Sequence, residues 1–173
     1  RESGDRDAMI VGQVNRNMPF MYGHAPVHEE KFDAILDSPD YEFPLFGPPN
    51  LAVDVEDHMI GLRVSSLIKD GGTLQIGIGS LGDAIAWSTQ LRHEQNDAYR
   101  DLLDAAGVVE DARELILEYG GIDPFEEGLY GGTEMFVEAF LQLLESGILD
   151  REVYNDVDIQ RLINDGEITE EVT

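Results

Sequence analysis

The run from residue 73 to residue 92 constrains the fold most, because a strand pattern passes through glycines directly into a helix pattern. Residues 73–78, TLQIGI, alternate in polarity and are rich in β-forming side chains, which predicts a strand. Ser80 is a favoured helix N-cap and Asp83 lies where a capping box places its acid, so a helix is predicted over about 81–92. Strand–turn–helix order is typical of an α/β fold with a parallel sheet, and we predict that fold class.

The turn inside this run, GIGSLG at 77–82, fits the pattern G-x-G-x-x-G between a strand and a helix. Glycine lets a ligand approach the backbone closely, and N–H groups at a helix start point toward anions or oxyanions. The turn is therefore a candidate ligand site, and glycines needed only for tight packing are the structural alternative. The candidate binding residues are Gly77, Ile78, Gly79 and Ser80.

The same turn leaves a nucleotide-binding oxidoreductase open as a function. Dinucleotide-binding folds place an acid at the end of the second strand, where it binds the ribose. In this chain Glu94 and Asp97 fall at a helix boundary, and no strand is predicted before them. The pattern therefore favours a general ligand loop over an NAD site.

A second glycine-rich segment, GLYGGTEMFVEAFLQLLESG at 128–147, leads to a carboxylate. Thr133 is predicted as the N-cap of a helix whose apolar residues recur at helical spacing and which Gly147 ends. Glu134 would then lie in the first turn, where the helix dipole favours its ionised form. An ionised, accessible carboxylate can act as a nucleophile, although acids also occur in first turns for stability alone.

The rest of the chain is predicted to be mostly helical, with few strands. Predicted elements are a buried strand at 9–14 and helices at about 54–69, from Asn96 to a stop at Gly107, at about 110–119, and around Ile159 to a stop at Gly166. The helix at 54–69 begins at the N-cap Asp54. Its predicted buried stripe is Met59, Ile60, Val64, Leu67 and Ile68. Trp87, in the middle of a helix, is predicted to be a core residue.

The charge of the chain excludes nucleic acid and anionic membrane surfaces as partners. There are 36 acidic and 11 basic residues, for a formal net charge of -25. Phosphate binding needs clustered lysine and arginine, and the sequence contains no such cluster. The acidic residues are spread along the whole chain, as in proteins adapted to high salt. We therefore expect the free energy of unfolding to rise with ionic strength, and a fall in urea titrations at increasing salt would contradict this.

Residue types that are missing exclude further chemistry. The chain has no cysteine, which rules out thiol nucleophiles, disulfides and thiolate metal sites. Pro26 separates His24 from His28, no H-E-x-x-H motif is present, and we expect no metal site. No G-x-S-x-G motif supports a serine nucleophile. Without a signal-peptide core or an apolar run near the about 20 residues of a membrane span, the expected location is cytoplasmic.

Three blocks of the sequence stand in an order typical of one enzyme family. They are VGQVNRNMP at 11–19, DGGTLQIGIGSLGDAI at 70–85 and GGTEMF at 131–136. They resemble the E-V-N-x-x-M-P, D-G-x-x-L-Q-x-G-I-G-x-x-x-D-A and H-T-E-M or S-E-M-F blocks of the acetyl-CoA hydrolase/transferase family. These class I CoA-transferases include 4-hydroxybutyrate and succinyl-CoA:acetate CoA-transferases. The resemblance spans about residues 9–150.

The resemblance implies that Glu134 attacks an acyl-CoA thioester, which gives an acyl-glutamyl anhydride and free CoA thiolate. The thiolate then forms a glutamyl-CoA thioester, from which an acceptor carboxylate collects CoA; attack by water would give hydrolysis. Backbone N–H groups at 77–79 would stabilise the thioester oxyanion. Asn15, Gly132 and Thr133 would line the same cleft. The implied substrates are acyl-CoA and a carboxylic acid, with no covalently bound cofactor, and self-association into a homo-oligomer is left open.

Family members are longer and have two similar α/β halves of NagB/RpiA-like fold. The resemblance makes 1–37 the end of the first half, 38–53 a proline-rich linker and 54–173 the start of the catalytic half. Two departures are Gln13, where the family usually has glutamate, and Gly132, where many members have histidine. We expect a fragment that binds CoA weakly or is inactive alone, and a non-catalytic assembly module is a further alternative.

Overall fold

The computed structural model describes residues 8–47 and 51–169. The chain divides into two compact units, Arg1–Gly47 and Pro48–Thr173. Helices and short parallel strands make up the described part of the chain, as the predicted α/β class requires. The more specific NagB/RpiA-like assignment stays a prediction.

The first unit is built on two short parallel strands. Strand β1, Val11–Gln13, pairs with strand β2, Ala34–Leu36, with Val11 opposite Ala34. The predicted strand at 9–14 is thus present but shorter, and the prediction that it is buried is wrong, because Val11 is 58% exposed. None of the described residues of this unit is buried.

Two short 3-10 helices complete the first unit. One spans Glu29–Lys31. The other, Pro39–Tyr41, lies in the proline-rich segment that begins at Ser38. The Ser38 side chain accepts a hydrogen bond from the Asp40 N–H, and proline suits a first helical position because it needs no N–H partner there. This local cap explains why one turn forms among the prolines.

The second unit carries two strands and six helices within its described residues. In chain order they are α1 Val55–Ser66, β3 Thr73–Gln75, α2 Ser80–Glu94, α3 Asn96–Ala105, α4 Val108–Tyr119, β4 Tyr130–Gly132, α5 Glu138–Glu145 and α6 Val157–Asn164. Strands β3 and β4 pair in parallel, with Leu74 opposite Gly131. The predicted stops at Gly107, Gly147 and Gly166 are confirmed, since all three adopt positive φ angles of 66°, 74° and 71° after helices.

The core of the second unit consists of two apolar clusters. One joins Leu62 of α1, Tyr99 and Leu103 of α3, and Val108 and Ile116 of α4. The other surrounds the carboxyl ends of β3 and β4 and packs α2 and α5 together. Its buried members are Ile68, Ile76, Ala86, Phe125, Leu129, Val137, Ala139, Leu143 and Ile148. This second cluster contains Ile76, directly before the glycine turn, and Val137, directly before α5.

Only part of the predicted stripe of α1 is buried: Ile68 is in the core, and Met59 packs against the core cluster that contains Leu62. Ile60 and Leu67, both predicted to be inward, are 44% and 41% exposed. The buried face instead consists of Gly61, Leu62, Ser65 and Ser66. The reason is close helix packing: a Cβ on Gly61 would lie 2.5 Å from the carbonyl oxygen of Ala84 in α2. Small residues decide this contact, so apolar spacing alone could not identify it.

Candidate active site

The two sequence blocks singled out above follow neighbouring parallel strands. In the β3–β4 pair, Gln75 lies opposite Gly132, and the Ile76 N–H donates to the Gly132 carbonyl at 3.2 Å. The glycine turn begins at Gly77, directly after β3, and Glu134 lies two residues after β4. In parallel sheets, the crevice at the carboxyl ends of strands is the usual ligand site. The topology therefore brings both blocks to one edge of the sheet.

Thr133 ties the two blocks together, in a role different from the predicted one. Its hydroxyl lies 3.1 Å from the Ile76 carbonyl and 2.6 Å from the Met135 carbonyl, and its one hydrogen is shared between these two acceptors. The prediction that Thr133 caps helix α5 is wrong, because that helix begins at Glu138 and its N-cap is Val137. A hydroxyl that bonds to the carbonyl beside Gly77 holds the Glu134 segment next to the glycine turn.

Glu134 is exposed and lies in a bend between β4 and α5. Its predicted place in the first turn of a helix is wrong, since it lies four positions before Glu138, the acid that does occupy the first turn of α5. The predicted position of Glu134 at the amino end of a helix dipole is therefore absent. The carboxylate is accessible to solvent, which a nucleophile needs.

The glycine turn divides into positions with different physical reasons for glycine. Gly79 has φ 111° and ψ 173°, a region that is essentially restricted to glycine, and it is the N-cap of α2. Gly82 is needed for packing, because a Cβ there would lie 2.6 Å from the Gly77 carbonyl oxygen. A Cβ on Gly77 or Gly79 would meet nothing within 4 Å, so the space beside these two residues is open. The packing alternative thus explains Gly82 but not Gly77 or Gly79.

The predicted capping box at the start of α2 is wrong. Ser80 is the first helical residue, and no side chain caps the helix start. The Asp83 N–H donates to the Gly79 carbonyl at 3.2 Å, as in an ordinary first turn. The N–H groups that begin α2 therefore have no side-chain cap. This arrangement suits a turn that donates hydrogen bonds to a ligand.

A cavity of about 490 Å³ opens beside Gly79. It lies between the start of α2 and the segment from Phe136 to Ala139 that leads into α5. Its lining residues are Leu51, Val53, His58, Gly79, Asp83, Trp87, Phe136, Val137, Glu138, Ala139 and Gln142. Glu134 precedes Phe136 by two residues and is not in the lining. The volume falls within the about 300–1,000 Å³ of small-molecule pockets.

Sequence reasoning missed most of this cavity. Trp87, predicted as a core residue, is 42% exposed and lines the cavity instead. The His58 ring packs edge-on against it at 4.8 Å between ring centroids, and the His58 Nδ1 is buried with no hydrogen-bond partner in the described residues. One available signal was spacing: Asp83 and Trp87, like Glu138 and Gln142, are four residues apart and share a helix face. Which faces meet is a tertiary property that this spacing does not contain.

The position of Asp83 at the cavity wall raises the pKa of its side chain. Partial burial, together with the negative charge of Glu138, raises the pKa of Asp83 above its ordinary value. A carboxylate that costs stability at a cavity wall is typical of residues retained for a function rather than for packing.

We expect Asp83→Asn to increase the free energy of unfolding at neutral pH. The raised pKa means that the folded state binds the Asp83 proton more tightly than the unfolded chain, so the ionised form destabilises the fold above that pKa. Below the unfolded pKa of about 3.9 both states are protonated, and the difference between Asp83→Asn and the natural protein should vanish. Urea unfolding at both pH values measures this. Asp101→Asn, on the exposed face of α3, is the control, and an equal gain there would contradict the assignment.

Asp70 positions the loop that leads into β4. Its carboxylate accepts hydrogen bonds from the N–H groups of Glu126, Glu127 and Gly128, at 2.8 to 3.2 Å. Burial opposes ionisation, but these backbone N–H groups and that of Gly71 outweigh it and lower the pKa of Asp70. The aspartate of the DGG block is therefore an anchor for the strand that carries Gly132 toward Glu134.

Asn15 has a structural role within the first unit. Its side-chain amide donates to the Phe43 carbonyl at 2.9 Å, and its Oδ1 accepts from the Asn17 N–H at 3.0 Å. The structure describes this unit by itself, so the predicted place of Asn15 in the cleft stays a prediction. In the described residues no group of three or more histidine and acidic side chains could hold a metal ion. No described helix combines the length and apolar character of a membrane span.

The chain is similar to CoA transferases over more than half of its length. It is 36% identical over 104 residues to the 4-hydroxybutyrate coenzyme A transferase of Clostridium kluyveri, covering 59% of this chain and 23% of that protein. It is 31% identical over 103 residues to a succinyl-CoA:acetate/propanoyl-CoA:succinate CoA transferase of Fasciola hepatica, covering 58% of this chain and 20% of that protein. The resemblance predicted from the three sequence blocks is thereby confirmed. The match spans less than a quarter of either relative.

A solved structure supports the fold. A mutant form of RipA superposes with a TM-score of 0.53 at 20% identity, over 82% of this chain and 24% of that one. At this identity the likeness concerns the fold alone. No protein-family model matches the chain.

Proposed function

We propose that this chain carries the nucleophile and oxyanion-binding turn of a CoA transferase, an enzyme that moves CoA between an acyl thioester and a carboxylic acid. The observation that carries the proposal is the hydrogen bond from the Thr133 hydroxyl to the Ile76 carbonyl. It joins the segment of Glu134 to the turn that starts at Gly77, and a thioester needs both a nucleophile and oxyanion donors at one place. The similarity to two named CoA transferases supports the same class.

In the proposed reaction, the Glu134 carboxylate attacks the thioester carbonyl and expels CoA as a thiolate. The anhydride that results links Glu134 to the acyl group. The thiolate then attacks the glutamyl carbonyl and releases the acyl group as a carboxylate, leaving a glutamyl-CoA thioester. An acceptor carboxylate repeats these steps in reverse and leaves with CoA, so no net oxidation or proton transfer is needed.

The backbone would stabilise the developing oxyanion in each of these steps. Ile78, Gly79 and Ser80 supply N–H groups in an open turn, and such fixed donors are often the largest catalytic term. Gly77 and Gly132 leave space for the thioester beside the strand ends. We assign no particular acyl or acceptor group. The names of the two relatives supply 4-hydroxybutyrate, succinate and acetate as candidates.

Intact-mass spectrometry after acyl-CoA addition and borohydride reduction tests the proposal. Borohydride converts a glutamyl thioester to an alcohol, which exchanges one oxygen for two hydrogens in the protein mass. We expect this change in the complete protein, with peptide mapping that locates it at Glu134. A modified glutamate elsewhere, or an unmodified protein with every acyl-CoA tried, would overturn the proposal.

An NAD-dependent oxidoreductase finds less support in the structure. Between α2 and β4, residues 95–129 form helices and loops, and no strand is present there. The acid that would bind a ribose at the end of a second strand therefore has no counterpart.

A further inference from the structure

The cavity beside Gly79 has apolar and aromatic walls together with two carboxylates. Trp87, Phe136 and Val137 form part of the wall, and Asp83 and Glu138 carry the charges. Asp83 comes from the first turn of α2 and Glu138 from the first turn of α5, so two different elements direct acids to the same space. The cavity is much larger than an acetyl group requires, since about 300–1,000 Å³ accommodates whole small molecules.

Neither carboxylate is neutralised by a neighbouring cation. Within the described residues, Asp83 and Glu138 have no salt bridge, and the two acids interact with each other instead. The described lining contains no lysine or arginine, and its other side chains with polar atoms are His58, Trp87 and Gln142. A ligand with its own negative charge would therefore meet repulsion here, whereas a hydroxyl could donate a hydrogen bond to either acid.

On the basis of the proposed function, we propose that this cavity holds the acyl group and selects uncharged, hydrogen-bond-donating acyl groups against those that end in a carboxylate. The thioester carbonyl lies at Gly79, and the acyl chain extends along Trp87 and Phe136 toward Asp83 and Glu138. Asp83 and Glu138 are specificity-determining residues in this proposal, and they take no part in bond making.

Two acyl-CoA substrates of equal chain length test the selection. The 4-hydroxybutyryl and succinyl groups differ in their terminal hydroxyl and carboxylate. With acetate as acceptor, we expect kcat/KM of the complete protein to be on the order of 100-fold higher for 4-hydroxybutyryl-CoA than for succinyl-CoA. The reason is the repulsion between the succinyl carboxylate and the two acids. Butyryl-CoA, uncharged but without a donor, should fall between the two.

The double variant Asp83→Asn with Glu138→Gln removes both charges and keeps the side-chain shapes. We expect it to raise kcat/KM for succinyl-CoA and reduce the preference to less than about tenfold. Glu145→Gln, an exposed acid at the end of α5, is the matched control and should retain the full preference. Unfolding curves for both variants exclude loss of the fold as the cause.

Measurements at high salt separate repulsion of the substrate by the two cavity acids from repulsion by the net charge of the whole protein. The net charge of -25 also repels a more negative substrate, but salt of about 1 M screens such long-range repulsion beyond about 3 Å. The preference should survive in high salt if the cavity acids cause it. Equal rates for the two substrates, or a preference unchanged in the double variant, would overturn this inference. A Glu134 adduct trapped by borohydride would still support the proposed CoA transferase in that case. Absence of any adduct would instead refute the proposed function.

Discussion

Replacing Glu134 with glutamine is expected to lower kcat for CoA transfer by about 1,000-fold or more, because an amide cannot form the acyl anhydride. Glutamine keeps the size and shape of the side chain but replaces the nucleophilic carboxylate with an amide, so the loss reports on nucleophilicity. Glu134 is exposed in a bend, and we expect the free energy of unfolding to change by less than about 0.5 kcal/mol. Steady-state kinetics and urea unfolding of the complete protein measure the two quantities.

Two further variants make the kinetic result specific. Glu134→Ala should be as inactive as Glu134→Gln, which excludes a residual contribution from slow hydrolysis of the amide. Glu145→Gln removes an equally exposed acid on α5 and should leave kcat unchanged. Transfer activity that persists in both Glu134 variants would remove this residue from the mechanism and favour the non-catalytic alternative for this part of the chain.

Replacing Arg92 with methionine is expected to lower the free energy of unfolding by about 3 kcal/mol or more. Arg92 is 1% exposed, and its guanidinium donates to the carbonyls of Ser65, Ile68 and Asp123 at 3.0, 2.6 and 2.6 Å. The methionine variant would leave the Ile68 and Asp123 carbonyls without this donor, whereas the Ser65 carbonyl keeps the Ile68 N–H at 3.3 Å; an unsatisfied buried group costs about 1–3 kcal/mol. It would also remove the stacking of the guanidinium on Phe125, 4.2 Å from the ring centroid.

The Arg92 prediction has a charge-conserving comparison and a surface control. Arg92→Lys keeps the positive charge but lacks the planar fork, so it should recover only part of the loss. Arg113→Met, on the exposed side of α4, should change the free energy of unfolding by less than about 0.5 kcal/mol. Urea unfolding decides the outcome, and equal stability of the Arg92→Met and Arg113→Met proteins would contradict the structural role assigned to Arg92.

Arg92 also links stability to the candidate site. It lies in α2, which begins at the glycine turn. Of its acceptors, Ser65 is in the last turn of α1 and Ile68 follows that helix. The carbonyls at a helix carboxyl end have no partner within the helix, and a buried guanidinium satisfies them. The sequence shows Arg92 only as a basic residue near the end of a predicted helix. Its burial follows from how α1, α2 and the loop at Asp123 come together.

Elements with local causes could be predicted from the sequence. The strand and helix around the glycine turn form at their predicted places, although the strand covers only residues 73–75 of the predicted 73–78, since period and turn chemistry act over a few residues. Helix α5 ends at Glu145, and just after it the N–H groups of Gly147 and Ile148 donate back to the carbonyls of Leu144 and Leu143. Such stops depend on a left-handed residue, and glycine adopts that conformation without a steric penalty.

The start of α5 could not be predicted in the same way. Thr133 has the side chain of a good N-cap, yet its hydroxyl bonds to the Ile76 carbonyl, 57 residues earlier in the chain. The competition between a local and a distant partner is decided by the pairing of β3 with β4, which brings that carbonyl within reach. The strand pairing thereby moves Glu134 out of the helix and into an exposed bend.

The sequence by itself therefore determined the α/β class, the glycine turn, the helix stops and the three blocks that resemble CoA transferases. Only the tertiary structure decided which face α1 buries, that Thr133 joins Glu134 to the Gly77 turn, and that Asp83 and Glu138 share one cavity. Backbone conformation and helix stops depend on interactions between near neighbours in the chain. Hydrogen-bond partners and close helix contacts depend on groups far apart in sequence, and these form only when the strands and helices pack.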